Sequence, residues 1–259
     1  MLIKYEIYIE KLVKKLACNL NFFSFMIIYI DCVKELGIMD RKIFKKKLED
    51  VKLFVKDSLQ NSFSCHDYEH TLRVFNNAKM LLKYERKADS QVVLLASLLH
   101  DIGRGVEFAE SGRVCHAEEG AKIAEKYLLE NGFELDLVQK ICRAIRVHRF
   151  RNKAESPDTI EEKILYDADK LDSLGAVGIG RAFMFAAKVG ARLHNKKSEA
   201  LRAKEYSSED TAYREYLVKF VHIPEKMQTL QGRAVAEKEL EFMREFFDKL
   251  NIQSKGKLL

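Results

Sequence analysis

Apolar residues recur at helical spacing along most of the chain after Met39. Phe44, Leu48, Val51 and Val55 form one such stripe, each three or four positions from the next. The same spacing predicts further helices over residues 66–82, 89–102, 116–130, 135–148, 176–193, 209–221 and 225–250. With only 2 prolines and 12 glycines, the chain has too few turn residues for an all-β protein. We therefore predict an all-α fold.

The start of one more helix is marked by capping residues. Pro157 is followed by Asp158 or Thr159, with an acidic residue three positions later, and the helix should run to about residue 174. We expect residues 39–250 to form one helical domain and residues 251–259 to fray. Residues 1–38 should add an amphipathic or core-docking helix, unless the protein starts at Met39. Their apolar stretch is shorter than the roughly 18 residues of a membrane span.

Charge does not point to nucleic-acid binding. The net charge is +6, but the 45 basic residues are interleaved with 39 acidic ones. The densest basic run, residues 45–47, lies beside Glu49 and Asp50, which is typical of a solvated helix face. We expect no binding to nucleic-acid duplexes and no membrane association. A mild positive field still favours a small phosphorylated partner.

The cysteines indicate a reducing compartment. The chain has 5 of them, an odd number, scattered without a CxxC pair. This pattern argues against a disulfide scaffold and against a cysteine-rich zinc site, and we expect a cytoplasmic protein.

The stretch "LLASLLHDIGRG" raises a question of charge. An apolar run from Val92 to Leu99, typical of a buried helix, ends in His100 and Asp101. A buried carboxylate is costly unless a partner compensates its charge. A bound metal ion would do so.

Other candidate ligands lie on the apolar faces of the predicted helices. A single inward-facing histidine is more often a hydrogen-bonded core residue than a ligand. Here, however, four of the chain's 7 histidines and two aspartates fit one inward-facing set. Imidazole and carboxylate together suit manganese, iron, nickel or zinc better than calcium. The set comprises His70, His100, Asp101, His116, His148 and Asp169.

Five motifs in this region resemble those of the HD-domain superfamily of metal-dependent phosphohydrolases. In order, they are "HDYEHTLRV", "LLHDIGRG", "HAEEGA", "AIRVHR" and "YDADKLDSLGAVGIGRA". The resemblance spans residues 64–182, and "KMQTLQGRAVAEKELEFMREFF" looks like the closing helix of a bacterial and archaeal subgroup. It implies an HD-domain helical bundle with additional N-terminal and C-terminal helices.

The resemblance implies four metal ligands, His70, His100, Asp101 and Asp169. Asp169 is preferred to Asp167 because it occupies the motif position before a basic residue and a leucine. For Asp167, and for Asp172 nearby, we expect ion pairing on the helix surface and capping.

His116 and His148 make the set resemble HD proteins that hold two ions. In that arrangement Asp101 bridges, His116 and His148 bind one ion, and the remaining ligands bind the other. Two ions about 3.5–4 Å apart activate a water and stabilise the attacking and leaving oxygens of phosphoester hydrolysis. We expect one or two divalent ions per chain, of manganese, iron, nickel, zinc or magnesium.

Basic residues beside the ligands are candidates for binding phosphate. Arg104 and Lys170 are the catalytic candidates together with Asp101, and Arg149 and His66 are further candidates for substrate contact. The alternative is an ordinary solvated basic residue at each position, and His66 could equally support a ligand.

The resulting hypothesis is a phosphohydrolase that uses metal-activated water to cleave a phosphate ester or anhydride of a nucleotide-like small molecule. Two alternatives stay open. A similar six-ligand site serves di-iron oxygenases of the HD type, and an HD module can also bind a nucleotide without catalysis.

Overall fold

The structure is a computed structural model that describes residues 41–60, 67–149 and 156–257. These residues form helices and connecting turns, with no strand among them, so the predicted all-α fold is confirmed. Residues Lys52–Leu259 belong to one compact unit. The extension expected at residues 1–38 lies outside the described residues, and the domain limits at 39 and 250 stay predictions.

Helices cover most of the described residues. They are α1 (41–58), α2 (Tyr68–Leu81), α3 (Ser90–Leu99), α4 (Arg104–Ala109), α5 (His116–Glu130), α6 (Leu135–Val147), α7 (Ile160–Leu171), α8 (Gly175–Lys188), α9 (Lys197–Ala200), α10 (Ala212–Val218), α11 (Ile223–Lys226) and α12 (Leu230–Gln253), with a 3-10 turn at Phe220–His222 between α10 and α11.

Side chains just before the helices fix where several of them start. The Asp67 carboxylate accepts from the backbone N–H of His70, and Asp89 caps α3 in the same way. At α7, Thr159 and Glu162 form a reciprocal capping box, which confirms the predicted start and selects Thr159 over Asp158.

Helix α3 forms the centre of the core. Almost every residue from Val92 to Leu99 is buried, because α3 packs against α2, α6 and α7 on different sides. Its apolar sequence therefore matches its position, and it delivers His100 and Asp101 into the interior.

The helix predicted over residues 225–250 is wrong in one respect, because the chain forms two helices there. The backbone N–H groups of Gln228 and Thr229 each donate to the Asp167 carboxylate at 2.8 Å, and the Thr229 hydroxyl donates to it at 2.7 Å. These groups cannot also continue a helix, so α11 ends and α12 begins. Asp167 is fully buried, so its predicted place on the helix surface is also wrong.

Two other predicted helices are shorter in the structure. Helix α8 ends at Lys188 rather than near 193, because Gly190 takes a left-handed conformation with a φ of 71°. The helix expected from 209 starts at Ala212, where the Thr211 hydroxyl accepts from the N–H of Arg214.

Helix α12 closes the bundle. It packs against α7 and α8, and Phe247 on its inner face stacks on Tyr216 with ring centroids 4.5 Å apart. Within the described ranges no helix is long and apolar enough to cross a membrane.

Asp167 provides a test of this tertiary cap. Asp167→Ala should lower the free energy of unfolding by about 1–3 kcal/mol, because it leaves buried donors at the start of α12 without an acceptor. Asp136→Ala is the control, since its exposed carboxylate pairs with Lys140 on the surface. That change should cost at most about 1 kcal/mol. Urea denaturation measures both, and equal effects would contradict the assignment.

Candidate metal centre

The site begins where α3 ends. His100 is fully buried and Asp101 is 1% exposed. The two carboxylate oxygens of Asp101 face different groups of side chains. The site therefore has two halves, one around each oxygen.

The first half surrounds Oδ2 of Asp101. The Nε2 atoms of His70 and His100 lie 3.6 and 3.7 Å from this oxygen and 3.3 Å from each other. Oδ1 of Asp169 lies 3.5 Å from Nε2 of His70 and 3.9 Å from Nε2 of His100. Four donors from α2, α3 and α7 thus converge on one point.

The second half surrounds Oδ1 of Asp101. Nε2 of His116, the first residue of α5, lies 3.2 Å away, and Nε2 of His148, just after α6, lies 3.7 Å away. Each half contains three donors close enough together to hold a metal ion. The structure therefore brings together all six residues of the predicted set.

The other nitrogen of each histidine ring is held by an acceptor. Nδ1 of His70 lies 2.6 Å from Oδ2 of Asp172, and Nδ1 of His116 lies 2.9 Å from Oε2 of Glu107. For His100 and His148 the acceptor is the backbone carbonyl three residues earlier, at 2.8 and 2.6 Å. A proton on each Nδ1 leaves the Nε2 lone pair directed at Asp101, as in metal-binding histidines.

Burial keeps two of these rings neutral. It lowers the pKa of His100 to about 4 and that of His116 to about 3, despite the opposing charge of Asp101. Nε2 of His116 has no hydrogen-bond partner among the described residues, although it is buried. A neutral imidazole with an unused buried lone pair fits a metal ligand.

The carboxylates around His70 favour a positive charge in the first half of the site. Burial lowers its pKa, but its hydrogen bonds with Asp169 and Asp172 outweigh burial and raise the pKa above its usual value. Metal binding at this position would displace that proton and supply the same charge.

Asp172 contributes more than the predicted surface pairing. Its side chain is 2% exposed and accepts from His70, from Arg73 Nε at 2.6 Å and from Arg181 Nη1 at 2.6 Å. The prediction of a surface position is therefore wrong, because Asp172 lies at the inner end of α7. The predicted ion pairing is present, with Arg73 and Arg181. The contact of Asp172 with Nδ1 of His70 was not predicted.

Glu107 on α4 plays the equivalent part in the second half, and sequence reasoning missed it. It accepts from His116, from Arg104 Nη1 at 3.1 Å and from Arg149 Nη1 at 2.8 Å. The short helix α4 was not predicted, so the sequence offered no reason to direct Glu107 inward.

Gly103 allows close packing in the second half of the site. A Cβ atom at this position would collide with the carbonyl oxygen of His116 and with the backbone of Gly120. The glycine that follows the His-Asp pair therefore allows α5 to approach Asp101.

A cavity of about 380 Å³ opens beside the site. Lining residues from the first part of the chain are Arg104, His148, Arg149, Asp169 and Lys170. Three predicted basic residues thus reach the cavity, while His66 lies outside the described residues.

The basic candidates pair with acidic residues of the site. Nε of Arg104 lies 3.0 Å from Oδ1 of Asp101, and Nζ of Lys170 lies 2.9 Å from Oδ2 of Asp169. Burial raises the pKa of Asp169, but the Lys170 charge and the neighbouring histidines hold it well below its usual range. The two cations therefore offset the charge of the carboxylates.

Sequence reasoning missed the residues that line the cavity from later in the chain. They include Arg181, Phe185, Tyr206, Glu215, Lys219 and Phe220. Arg181 belongs to the last quoted motif, but the other five lie outside the motifs. The six reach the cavity from α8, from α10, from the segment between these two helices and from the residues just after α10.

Comparisons with known proteins identify the family of this chain. The family model of the HD domain matches residues 67–174. The uncharacterized protein YpgQ of Bacillus subtilis is 32% identical over 210 residues, which cover 79% of this chain and 92% of YpgQ. A solved structure described as a predicted HD superfamily hydrolase, from an uncultured Thermotogales bacterium, is 30% identical with a TM-score of 0.57, and the match covers 79% of this chain and 91% of that one.

A solved structure of B. subtilis YpgQ in complex with ADP is also similar. It has a TM-score of 0.62 and 27% identity, over 80% of this chain and 94% of that one.

The acceptor behind His70 can be tested directly. Asp172→Asn should weaken binding of Mn²⁺ roughly 10–100-fold, because the ring loses the carboxylate that orients it. Asp210→Asn is the control, since this buried carboxylate pairs with Arg214 instead of a site histidine. Metal titration of both variants, with helix content checked by circular dichroism, gives the answer. Equal Mn²⁺ affinity in the two variants would show that Asp172 does not support the site.

Proposed function

Since the chain belongs to the HD-domain superfamily, whose similar solved structures include a predicted hydrolase, we propose that it is a metal-dependent phosphohydrolase. It cleaves a phosphate ester or anhydride of a nucleotide-like small molecule. The observation that carries this proposal is the Asp101 carboxylate, which offers one oxygen to each of two buried groups of ligands.

The six converging side chains would hold two divalent ions. His70, His100 and Asp169 would bind one ion, His116 and His148 the other, and Asp101 would bridge them. Nitrogen and oxygen donors of this kind suit manganese, iron, nickel or zinc, and magnesium remains a candidate. When bound, such ions supply a nucleophilic water at neutral pH and neutralise charge on the phosphate.

Basic side chains would position the phosphate. Arg104, Arg149 and Lys170 line the cavity beside Asp169 and His148. Their pairing with Asp101, Glu107 and Asp169 places them next to the ligands. From there a guanidinium or ammonium group can stabilise the charge that develops on phosphate oxygens.

The cavity also supports a nucleotide-like substrate. Phe185 and Tyr206 lie edge to face with ring centroids 5.8 Å apart, and Phe220 lines the same cavity. Tyr206 is 72% exposed and has a φ of 60°, a strained conformation for a residue other than glycine. Such strain is common where a side chain is held for function. Aromatic rings bind flat bases, and the ADP complex of the similar YpgQ agrees with this proposal.

The test of the proposed function is a hydrolysis screen. Purified protein would be reconstituted with manganese, iron, nickel or magnesium and assayed for release of phosphate or pyrophosphate from nucleotides. Release with an appropriate ion supports the proposal. Oxygen consumption that depends on reduced iron, without phosphate release, would instead identify a di-iron oxygenase.

The number of ions gives a further prediction. Asp101→Ala should abolish binding at both positions, because it removes the shared ligand, and His148→Ala should lower the content from about two ions to about one. His194→Ala is the control, since His194 hydrogen-bonds Asn251 away from the site. Elemental analysis of the purified variants gives the count. Unchanged content in His148→Ala would make this residue a core histidine.

Arg104 is expected to act on the substrate. Arg104→Ala should reduce turnover by about 1.5–3 kcal/mol of lost charged hydrogen bonding, roughly ten- to a hundredfold. Arg104→Lys should recover part of the rate, because a point charge cannot make paired contacts with phosphate. Arg113→Ala is the control, since Arg113 is an exposed residue paired with Glu110. Kinetics at saturating metal, with bound metal measured in each variant, checks the expectation, and wild-type turnover in Arg104→Ala would refute it.

A further inference from the structure

Glu215 carries a carboxylate oxygen that the proposed chemistry does not use. The residue lies on α10, lines the cavity, and its side chain is 15% exposed. Oε1 pairs with Nζ of Lys219 at 2.9 Å. Oε2 is buried and has no hydrogen-bond partner within the described part of the chain.

This oxygen requires a donor. An ionised carboxylate only accepts hydrogen bonds, and a buried acceptor without a partner is costly. Because the atom belongs to a residue of the cavity wall, a bound molecule can supply what the protein does not.

The charge of the cavity limits which hydrogen-bond donor can lie beside Oε2 of Glu215. Among the described lining residues five are basic and two, Asp169 and Glu215, are acidic, so the cavity suits an anionic substrate. The anionic part itself cannot lie against Oε2, since phosphate oxygens are also negative acceptors. The group that fits Oε2 is therefore a neutral donor elsewhere on the substrate.

We propose that Oε2 of Glu215 accepts a hydrogen bond from a hydroxyl or amino group on the organic part of the substrate. Glu215 thereby selects nucleotide-like substrates over molecules that carry phosphate alone. This inference rests on the proposed function and adds the residue that recognises the organic part. The aromatic residues that line the same cavity, Phe185, Tyr206 and Phe220, provide the apolar surroundings for that part.

The position of Glu215 in the chain agrees with this role. The HD family model matches residues 67–174, which contain all six candidate metal ligands. Glu215 and the three aromatic residues come later. The reactive centre and the recognition of the organic part are therefore contributed by different segments of the chain.

The experiment compares two ligands that cannot be hydrolysed at the bridging position, α,β-methylene-ADP and methylenediphosphonate. Calorimetry would measure the binding of each to the Mn²⁺-loaded protein and to the Glu215→Met and Glu215→Gln variants. Methionine has nearly the same shape as glutamate without a strong acceptor, and glutamine restores a neutral acceptor. Glu241→Met is the matched control, since Glu241 is an exposed residue of α12 paired with Arg244.

Glu215→Met should weaken binding of α,β-methylene-ADP about tenfold or more, and glutamine should restore part of the affinity. Affinity for methylenediphosphonate should stay within about twofold, which also shows that the variants are folded. The 2′,3′-dideoxy and inosine forms of the nucleotide identify the donor. Dependence on Glu215 disappears in the first if the donor is a sugar hydroxyl, and in the second if it is the base amino group.

The remaining outcomes separate this inference from the proposed function. Equal losses for both ligands, or no loss for the nucleotide, would overturn the role of Glu215 and leave the phosphohydrolase proposal standing. Binding of methylenediphosphonate but not of the nucleotide to the wild-type protein would overturn both the role of Glu215 and the nucleotide-like substrate, and would leave the metal-dependent phosphohydrolase standing. If the wild-type protein binds neither ligand, both proposals fall.

Discussion

The structure depends on the compensation of one buried negative charge. Asp101 follows the most apolar of the described helices and is 1% exposed. A carboxylate at this depth is unfavourable unless positive or hydrogen-bonding groups surround it. The bundle provides them from several helices, as His70 comes from α2, His116 from α5 and Arg104 from α4. The arrangement of helices around α3 therefore serves the site as well as the core.

Helical periodicity made most of this predictable. It placed His70 and His148 on inward faces and Asp169 at the border of one, and the apolar run before His100 indicated a buried helix. The capping box at Thr159 could also be predicted from the sequence, since all of its contacts are local. These features depend on residues within one or two turns of each other.

Contacts between segments far apart in the chain could not be predicted from the sequence. Asp167 ends α11 by accepting from residues 61 and 62 positions later, and no local pattern announces such a cap. Asp172 resembles an ordinary residue at a helix end until α2 brings His70 against it. One signal could have been used, because Asp172 follows Asp169 by three positions and so shares its face of the helix. Glu107 offered no such signal, as its helix was not predicted.

The acceptors behind the histidines give the two halves of the proposed metal centre the same design. Each half has one ring backed by a carboxylate, Asp172 or Glu107, and one backed by a carbonyl of its own helix. A carboxylate increases the electron donation of the imidazole it holds, whereas a carbonyl has a smaller effect. If the two halves hold an ion each, as proposed, the Lewis acidity of each ion could be adjusted separately by changing one acidic residue that lies behind a ligand. Protein engineers who wish to make the two positions unequal have one residue to change in each half.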